Sequence, residues 1–311
     1  MLNKNKKNDF ILVLIQTYND GEYLVKAIKS LLNQTYKKLD ILILDDGSDK
    51  KNISIYEKFI KSNRRIKYIY RKNQGIINSS ILLTKIAKKT SYNFFAKMDG
   101  DDISKKNRIK KQINLLKKDY DLVGCNYERI NSKDKIFEVN FCSRNKVSRF
   151  NQLMVESIFA HGSICFKRSL LDRNILKYDP MFSKLPFPED FNMYHNLLGK
   201  CKIGSVNEIL YKYRIHKQSY SESNKKKYKQ QLLKISKKYF KLNKTEFFQL
   251  NTNYLSKDFF DLIIFFKIAT RNNLWKNRKM QKIILNNFTI IKLIKIFNYY
   301  ITRKWNKFIN V

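Results

Sequence analysis

Residues 10–48 decide the fold class, and they read FILVLIQTYNDGEYLVKAIKSLLNQTYKKLDILILDDGS. The stretch begins and ends with two apolar runs, 10–15 and 39–44, which are short and rich in branched side chains. Runs of this kind are typical of strands buried on both faces. Between them, apolar residues recur at spacings of three and four from Tyr23 to Leu32, the pattern of an amphipathic helix. The stretch therefore predicts a strand–helix–strand unit.

The same alternation continues to about residue 126. Further helices are predicted over 55–60, 75–89 and 105–117, and further strands over 66–70, 92–98 and 121–126. Strands that alternate with helices favour a mostly parallel sheet flanked by helices on both faces. Three of the strands end in polar clusters, and ligands of open α/β sheets bind at that edge. The first 219 residues are accordingly predicted to form an α/β domain that carries its site at the carboxyl ends of the strands.

The composition changes near residue 220. Residues 219–311 contain 21 Lys and Arg but only four acids, so a basic helical region is predicted over 220–311. Within it, residues 283–311 carry an apolar stripe at steps of three or four, interleaved with lysine and arginine. A basic amphipathic helix of this kind suits an anionic membrane surface, but the same stripe could pack against the catalytic domain. Both interpretations stay open.

The overall composition limits the functional classes. The chain has 311 residues, 43% of them hydrophobic, which excludes disorder as the main state. The net charge of +38 comes mostly from lysine, with 13 arginines, and no zinc-finger or basic-zipper pattern accompanies it, so no nucleic-acid partner is predicted. The four cysteines form no CxxC pair, which indicates neither a zinc ribbon nor a disulfide scaffold and favours a reducing, cytoplasmic location.

The sequence Asp99-Gly100-Asp101-Asp102 is the strongest chemical signal in the chain. Three carboxylates within four residues repel one another unless a cation lies among them. Their oxygens suit Mg²⁺ or Mn²⁺, which typically take one or two carboxylates together with substrate phosphates. A nucleotide diphosphate is the expected substrate group. The chain contains neither a P-loop nor a GxGxxG motif, which argues against a kinase or a simple dinucleotide-binding protein.

Four segments in order carry a family resemblance: the opening stretch extended to Lys50, YNFFAKMDGDDIS, LPFPEDFNMYHNLL and YKYRIHKQSYS. Together they resemble the inverting, family 2-type glycosyltransferases of the GT-A fold, over about residues 8–220. The resemblance implies a metal-dependent enzyme that moves a sugar from a nucleotide-diphosphate donor to a hydroxyl of a glycan or lipid-linked acceptor. It also implies cell-surface polysaccharide biosynthesis as the setting, at the inner face of the membrane.

The resemblance also assigns roles to individual residues. Asp101 and Asp99 would form the metal-binding DXD pair, with Asp99 nearer the ribose. Asp190 would be the general base, and Glu189 would support the acceptor side. The remaining residues implied to contact the nucleotide sugar or its metal are Tyr18, Asp46, Asn73, Arg214 and His216.

Departures and alternatives accompany this assignment. Gln16 stands where the family usually has proline, and Ser79-Ser80-Ile81 stands where a second asparagine is usual, which affects details of donor binding. Asp190 could instead be a helix N-cap, and His161 could be structural or could line the acceptor pocket. The rival functions are a nucleotidyltransferase acting on sugar phosphates and a basic, non-enzymatic binding module.

Overall fold

The structure, a computed structural model, describes residues 9–142, 146–153, 156–182 and 188–245, together with single positions between 247 and 281. The predicted stripe over 283–311 lies outside the described residues. No helix in the described part of the chain is both long enough and apolar enough to span a membrane.

Strands and helices alternate through the first half of the described chain. The strands are β1 (Ile11–Thr17), β2 (Leu39–Asp45), β3 (Ile66–Tyr70), β4 (Phe94–Asp99), β5 (Ile103–Ser104), β6 (Leu122–Ile130), β7 (Ile136–Asn140), β8 (Cys165–Lys167) and β9 (Ile203–Arg214). The helices are α1 (Glu22–Leu32), α2 (Lys50–Lys61), α3 (Ile76–Lys88), α4 (Arg108–Lys118), α5 (Lys146–Leu153), α6 (Ser169–Asp172), α7 (Glu189–Leu197), α8 (Tyr220–Ser223) and α9 (Lys225–Leu242). Two short 3-10 helices cover His161–Ser163 and Pro180–Phe182.

The nine strands found among the described residues belong to one sheet, in the order β3-β2-β1-β4-β8-β6-β9-β5, with β7 paired to β6. Strands β1 to β4 run parallel to one another, and β6 is parallel to β9. Strand β8 runs antiparallel between β4 and β6. The carboxyl ends of β1, β2 and β4 therefore lie side by side, while the chain from β8 onwards returns to cover that edge.

The predicted elements agree with the structure where apolar periodicity is strong. Strand β1 is buried along its whole length, and α1 buries Leu24, Ala27, Ile28 and Leu31 against the sheet, as the spacing indicates. Helix α2 begins five residues before the predicted start at Ile55. Its N-cap Asp49 accepts a hydrogen bond from the backbone nitrogen of Asn52 at 2.8 Å, which satisfies an otherwise free donor of the first turn.

The sequence analysis did not predict β5, β7, β8 or β9, or the antiparallel pairs that they form. Strands β5 and β8 contain two and three residues, too few for a periodic pattern to show. The alternation that correctly predicts β1 to β4 and β6 therefore does not predict the rest of the sheet.

The chain divides into two compact units. One contains residues 1–144 and 157–231, and the other contains residues 145–156 and 232–311. All nine strands lie in the first unit. The boundary predicted at residue 219 stays a prediction.

Candidate active site

The polar residues that follow β1 and β2 meet at the edge of the sheet. The backbone nitrogen of Asp46 donates to the carbonyl oxygen of Thr17 at 2.9 Å. The nitrogen of Asn19 donates to the hydroxyl of Ser48 at 2.8 Å, which joins the two loops a second time. Tyr18 lies between these contacts with 53% of its surface exposed. A flat, exposed aromatic ring at this edge can stack on a nucleotide base.

Asp46 is buried and holds together the loop that follows β3. Its carboxylate accepts hydrogen bonds from Arg71 Nε at 2.7 Å and from the backbone nitrogens of Gln74 and Gly75 at 3.1 and 2.7 Å. This loop brings Asn73 beside Gly47, where an added Cβ would lie 2.6 Å from the Asn73 nitrogen. Gly47 has φ of 92°, a conformation that side chains disfavour. The loops around Tyr18, Asp46 and Asn73 thus form one continuous surface.

Asp45, which precedes Asp46, is bonded to side chains and backbone within the protein. It is fully buried, and it accepts hydrogen bonds from the hydroxyl of Tyr68 at 2.6 Å and from the Ser48 nitrogen at 2.8 Å. The hydroxyl of Tyr56 donates to the same carboxylate. Both neighbouring aspartates are thus bonded within the protein, and contact of Asp46 with a ligand stays a prediction.

The Asp99–Asp102 turn is held in place by the end of β9. The backbone nitrogen of Arg214 donates to Asp102 Oδ1 at 2.7 Å, and Arg214 Nε donates to the Asp101 carbonyl at 2.7 Å. His216 Nε2 lies 3.0 Å from Asp101 Oδ2. Burial, together with repulsion from Asp101 and Asp99, raises the pKa of Asp102 well above its usual range. The structure thus brings Asp101 and His216 together, 115 residues apart in the chain.

Arg214 is predicted to face the diphosphate, but most of its hydrogen-bonding capacity is used within the protein. Its guanidinium donates to the Asn131 carbonyl at 2.9 Å, pairs with Asp134 and lies 4.5 Å from the centre of the Tyr23 ring. The side chain is fully buried. Its contact with a donor stays a prediction, whereas its effect on the position of the Asp99–Asp102 turn is direct.

Glu189 and Asp190 form the first turn of α7. Asp190 Oδ2 accepts a hydrogen bond from the hydroxyl of Ser157 at 2.8 Å. Burial raises the pKa of Asp190, and burial together with the nearby Asp190 charge raises the pKa of Glu189 to about 8. A carboxylate with a raised pKa is a better proton acceptor, as a general base requires. The side chain of Asp190 bonds Ser157, so the N-cap alternative does not describe it.

Asp99 interacts electrostatically with both Asp101 and the start of α7. Burial raises its pKa to about 6, Lys97 lowers it, and the charges of Asp101 and Asp190 raise it. One of its oxygens, Oδ1, is buried and has no hydrogen-bond partner among the described residues. The structure therefore brings Asp99, Asp101, Glu189 and Asp190 into one electrostatically coupled group.

Three further residues near this group escaped the sequence analysis. Asp20 accepts a hydrogen bond from the Thr17 hydroxyl at 2.7 Å, and burial, with repulsion from Asp101, raises its pKa well above the usual range. Lys97 is buried in β4, and burial lowers its pKa to about 8. The hydroxyl oxygen of Tyr178 lies 2.7 Å from His161 Nε2. Lys97 lies within a strand pattern that otherwise favours apolar residues, which is the signal that could have identified it.

His161 is buried, and burial together with the positive charge of Lys97 holds its pKa well below the usual range. A neutral imidazole bonded to Tyr178 fits a structural role beside the site. The adjacent Gly162 packs against β4, since an added Cβ would lie 2.8 Å from Asp99 Oδ2.

The predicted Mg²⁺ or Mn²⁺ site can be compared with the side chains that could coordinate an ion. Among the described residues, no three Asp, Glu, His or Cys side chains converge as the ligands of one ion. Mg²⁺ and Mn²⁺ in phosphate sites need fewer, because substrate phosphates and waters complete their coordination. The unpartnered Oδ1 of Asp99 and the partly exposed Asp101, paired only with a histidine, fit such an ion.

The sequence from residue 12 to residue 175, more than half of the chain, matches the model of the family described as Glycosyl transferase family 2. The chain belongs to glycosyltransferase family 2. The O-antigen biosynthesis glycosyltransferase WbnJ of Escherichia coli is 30% identical to it over 224 residues, which cover 69% of this chain and 83% of that protein. The enzyme is thus a transferase, and the family match decides against the nucleotidyltransferase and the non-enzymatic module.

Other relatives of this glycosyltransferase differ in length. Glycosyltransferase GlyG of Streptococcus pneumoniae serotype 4 is 26% identical over 216 residues, which cover 67% of this chain and 71% of that protein. An uncharacterized glycosyltransferase of Rickettsia bellii is 25% identical over 248 residues, 79% of this chain but 33% of its own length.

Two solved structures show that the glycosyltransferase has the predicted GT-A fold. TarS of S. aureus, residues 1–349 in complex with UDP-GlcNAc, has a TM-score of 0.59 and 14% identity, covering 89% of this chain and 79% of that one. The mannosyltransferase PcManGT of Pyrobaculum calidifontis, in complex with GDP-Man and Mn²⁺, has a TM-score of 0.56 and 11% identity, covering 96% and 83%. At these identities the likeness concerns the fold. The roles predicted for individual residues stay predictions.

Proposed function

We propose that this glycosyltransferase moves a sugar from a nucleotide-diphosphate donor to a hydroxyl of a glycan or lipid-linked acceptor, with inversion at the anomeric carbon. The observation that carries the proposal is the meeting of two carboxylate pairs. Asp99, at the end of β4, interacts electrostatically with Asp101 and with Asp190 at the start of α7. The pair Asp99 and Asp101 suits the diphosphate side of a donor. The pair Glu189 and Asp190 suits proton removal from an acceptor.

The donor side is formed by the edge of the sheet. Tyr18 stacks on the base, and the loops around Asp46 and Asn73 bind the base and ribose. Asp101 and Asp99 would hold the divalent ion, Mn²⁺ or Mg²⁺, and His216 would face the diphosphate or the metal. The ion would neutralise charge on the departing diphosphate. The structural neighbours solved with UDP-GlcNAc and GDP-Man support this class of donor.

The acceptor side is formed by α7. Asp190 removes the hydroxyl proton as the acceptor oxygen bonds to the anomeric carbon and the bond to the diphosphate breaks. The hydrogen bond from Ser157 orients the Asp190 carboxylate, and Glu189 lies beside it. A single displacement of this kind inverts the anomeric carbon, and it needs one base on the side opposite the leaving group.

The setting that we propose is cell-surface polysaccharide assembly at the inner face of the membrane. The O-antigen function in the name of WbnJ supports this setting. Helix α9 supports a peripheral location, because it carries eight lysines, all exposed, and no acidic residue. Each basic residue near an anionic leaflet contributes about 1 kcal/mol of binding free energy.

The direct test is a panel of nucleotide sugars, measured with Mn²⁺ by donor hydrolysis and by thermal unfolding. A donor at 100 to 1,000 times its Kd should raise the free energy of unfolding by about 2.7 to 4.1 kcal/mol. Stabilisation by one nucleotide sugar supports the proposal. The absence of binding and hydrolysis across UDP-, GDP-, dTDP- and CMP-linked sugars would contradict it.

Metal dependence has its own test. Exhaustive treatment with EDTA should abolish transfer, and Mn²⁺ or Mg²⁺ should restore it. Asp101→Asn should weaken Mn²⁺ binding, measured directly by calorimetry in the presence of a nucleoside diphosphate, because one of the two carboxylates is lost. Asp119→Asn, a change at an exposed aspartate, is the control. Full turnover in the chelated enzyme would contradict the metal assignment.

A further inference from the structure

Arg214, at the end of β9, connects the tip of the β6–β7 hairpin to the Asp99–Asp102 turn. Its Nε donates to the carbonyl of Asp101 at 2.7 Å, and its Nη1 donates to the carbonyl of Asn131 at 2.9 Å. Its backbone nitrogen donates to Asp102 Oδ1 at 2.7 Å. The hairpin tip and the turn are therefore joined through one side chain.

The hairpin tip, residues 131–135, is closed by hydrogen bonds of its own. The nitrogen of Asp134 donates to the Asn131 carbonyl at 3.0 Å, and Asn131 Oδ1 accepts from the nitrogens of Lys133 and Lys135 at 2.9 and 3.0 Å. Asp134 has φ of 64°, in the left-handed region where aspartate and asparagine occur more often than other side chains. None of these bonds uses the Asp134 carboxylate, so the tip does not need that carboxylate to close.

The Asp134 carboxylate pairs with two cations from different elements. Its Oδ1 lies 2.5 Å from Arg214 Nη2, and its Oδ2 accepts a hydrogen bond from Lys26 Nζ of α1 at 2.7 Å. The Arg214 side chain is fully buried, whereas those of Lys26 and Asp134 are 45% and 38% exposed. An exposed ion pair contributes little, but a buried charge that loses its partner is strongly destabilising. Pairing with Arg214 is therefore the larger contribution of this carboxylate.

The Tyr23 ring of α1 also contacts the Arg214 guanidinium, whose carbon lies 4.5 Å from the ring centre. Stacking on an aromatic ring limits the orientations that the guanidinium plane can take. All three guanidinium nitrogens have a partner within the protein, in the carbonyls of Asp101 and Asn131 and the carboxylate of Asp134. A diphosphate that bound this group directly would have to displace one of these partners.

We propose that Asp134 is a positioning residue: its carboxylate commits Arg214 to the protein, so that the guanidinium fixes the Asp99–Asp102 turn and does not bind the donor diphosphate. Removal of the carboxylate leaves the buried guanidinium without its counter-charge, and the guanidinium then no longer holds the Asp101 carbonyl in place. The consequence for metal binding rests on the proposed function, in which Asp99 and Asp101 are the metal ligands. The position of the turn itself can be measured without any ligand.

Amide hydrogen exchange on the full chain tests the position of the turn, because exchange at a single amide reports local opening. Asp134→Asn keeps a side chain suited to the left-handed region and an oxygen acceptor, but it removes the negative charge. The Arg214 amide, which donates to the turn, should exchange about tenfold faster or more. The Asp46 amide, bonded elsewhere at the same edge of the sheet, should be unchanged. Asp119→Asn, at an exposed aspartate paired with Lys202, is the matched control and should change neither amide.

Two exchange results would overturn the proposal. Equal acceleration at both amides would be a general loss of stability, and an unchanged Arg214 amide would mean that the turn keeps its position without the carboxylate. If Asp134→Asn does not fold, the double variant with Arg214→Met decides, because it also removes the unpaired buried charge. A folded double variant supports the proposal, and an unfolded one overturns it.

Manganese binding gives a second readout, measured by calorimetry with UDP or GDP present. Asp134→Asn should weaken Mn²⁺ binding by about 10- to 100-fold, the usual effect of losing a residue that orients a metal ligand. Asp119→Asn should bind Mn²⁺ as the wild type does. Wild-type Mn²⁺ affinity in a folded Asp134→Asn variant would overturn the proposal. A wild-type protein that binds neither nucleotide nor Mn²⁺ would contradict the proposed function instead, and the exchange result would still decide the role of Asp134.

Discussion

Asp190 and Glu189 are adjacent in sequence but have different surroundings in the fold. Asp190 is partly buried and is held by the Ser157 hydroxyl, whereas Glu189 is 8% exposed and faces the buried Lys97. Burial disfavours the charged form of both and raises both pKa values. Because the Ser157 hydroxyl orients the carboxylate of Asp190, we propose Asp190 rather than Glu189 as the base.

Substitution of Asp190 by asparagine tests this assignment. Asp190→Asn is nearly isosteric and can keep a hydrogen bond to Ser157, so the thermal midpoint and donor affinity should change little. Loss of the base should lower the transfer rate by about 10²- to 10⁴-fold. Asp119→Asn, at an exposed aspartate, serves as the control. Unchanged transfer in Asp190→Asn would mean that the base lies elsewhere.

Glu189 predicts how stability depends on pH. Its pKa is raised to about 8 in the folded enzyme, whereas an unfolded glutamate titrates near 4.3. Between these values the folded state holds a proton that the unfolded chain has released, so the free energy of unfolding falls as pH rises. This contribution is complete below about pH 4.3 and is lost as pH rises through about 8. Thermal unfolding from about pH 5 to about pH 8.5 should show a steeper loss for the wild type than for Glu189→Gln. Equal slopes would contradict the raised pKa.

At the scale of elements, the short 3-10 helix over 161–163 determines how closely the returning chain approaches β4. A Cβ on Gly162 would lie 2.0 Å from the Tyr211 hydroxyl and 3.0 Å from the Asp99 backbone nitrogen. The side-chain contact could shift, but the backbone of a central strand cannot. Only glycine therefore allows this helix to pack over the Asp99–Asp102 turn.

Gly162→Ala should push the 161–163 helix away from the backbone of Asp99. Overpacking of a buried position costs about 1 to 3 kcal/mol of unfolding free energy, and here the shift falls on Asp99. We expect a lower thermal midpoint together with a loss of Mn²⁺-dependent donor binding, measured by calorimetry. Wild-type donor affinity in a folded Gly162→Ala variant would show that the helix does not position the turn.

The elements also differ in how well they could be predicted. Strands β1 and β2 and helix α1 follow from apolar periodicity, because both faces of a central strand and one face of its helix must be buried. Strand β8 has three residues and is antiparallel, so its place between β4 and β6 follows from contacts with residues far away in the chain. Periodicity contains no information about such contacts.

At the scale of the whole molecule, the net charge of +38 is unevenly distributed along the chain. Helix α9 carries eight exposed lysines, while its buried positions, Ser236 and Phe240, face the other way. Like charges three and four residues apart destabilise a helix by a few tenths of a kcal/mol for each pair. An anionic surface would remove that repulsion, which is the physical basis for a peripheral location.

Flotation with anionic vesicles tests this location. Replacing Lys229, Lys237 and Lys241 of α9 by glutamine should weaken vesicle binding by about 100-fold at low salt, since each lysine contributes about 1 kcal/mol and 1.4 kcal/mol is a factor of ten. The matched control replaces Lys50, Lys51 and Lys58 of α2, which are also exposed. Equal binding of the two variants would mean that α9 is not the membrane-facing element, and a wild-type protein that does not float would contradict the peripheral location.

The sequence by itself determined the parallel half of the sheet, the edge at which ligands bind and the acidic motifs, because these depend on local periodicity and on residue type. Only the tertiary structure decided which of these residues meet. His216 reaches Asp101, and Arg214 is occupied by the carbonyls of Asp101 and Asn131, through a strand that local patterns did not predict. The approach of Glu189 to Asp99, with Lys97 buried beside them, likewise depends on how α7 packs on the sheet. Burial then sets the pKa values of these groups, and burial is a property of the folded chain that composition and spacing do not contain.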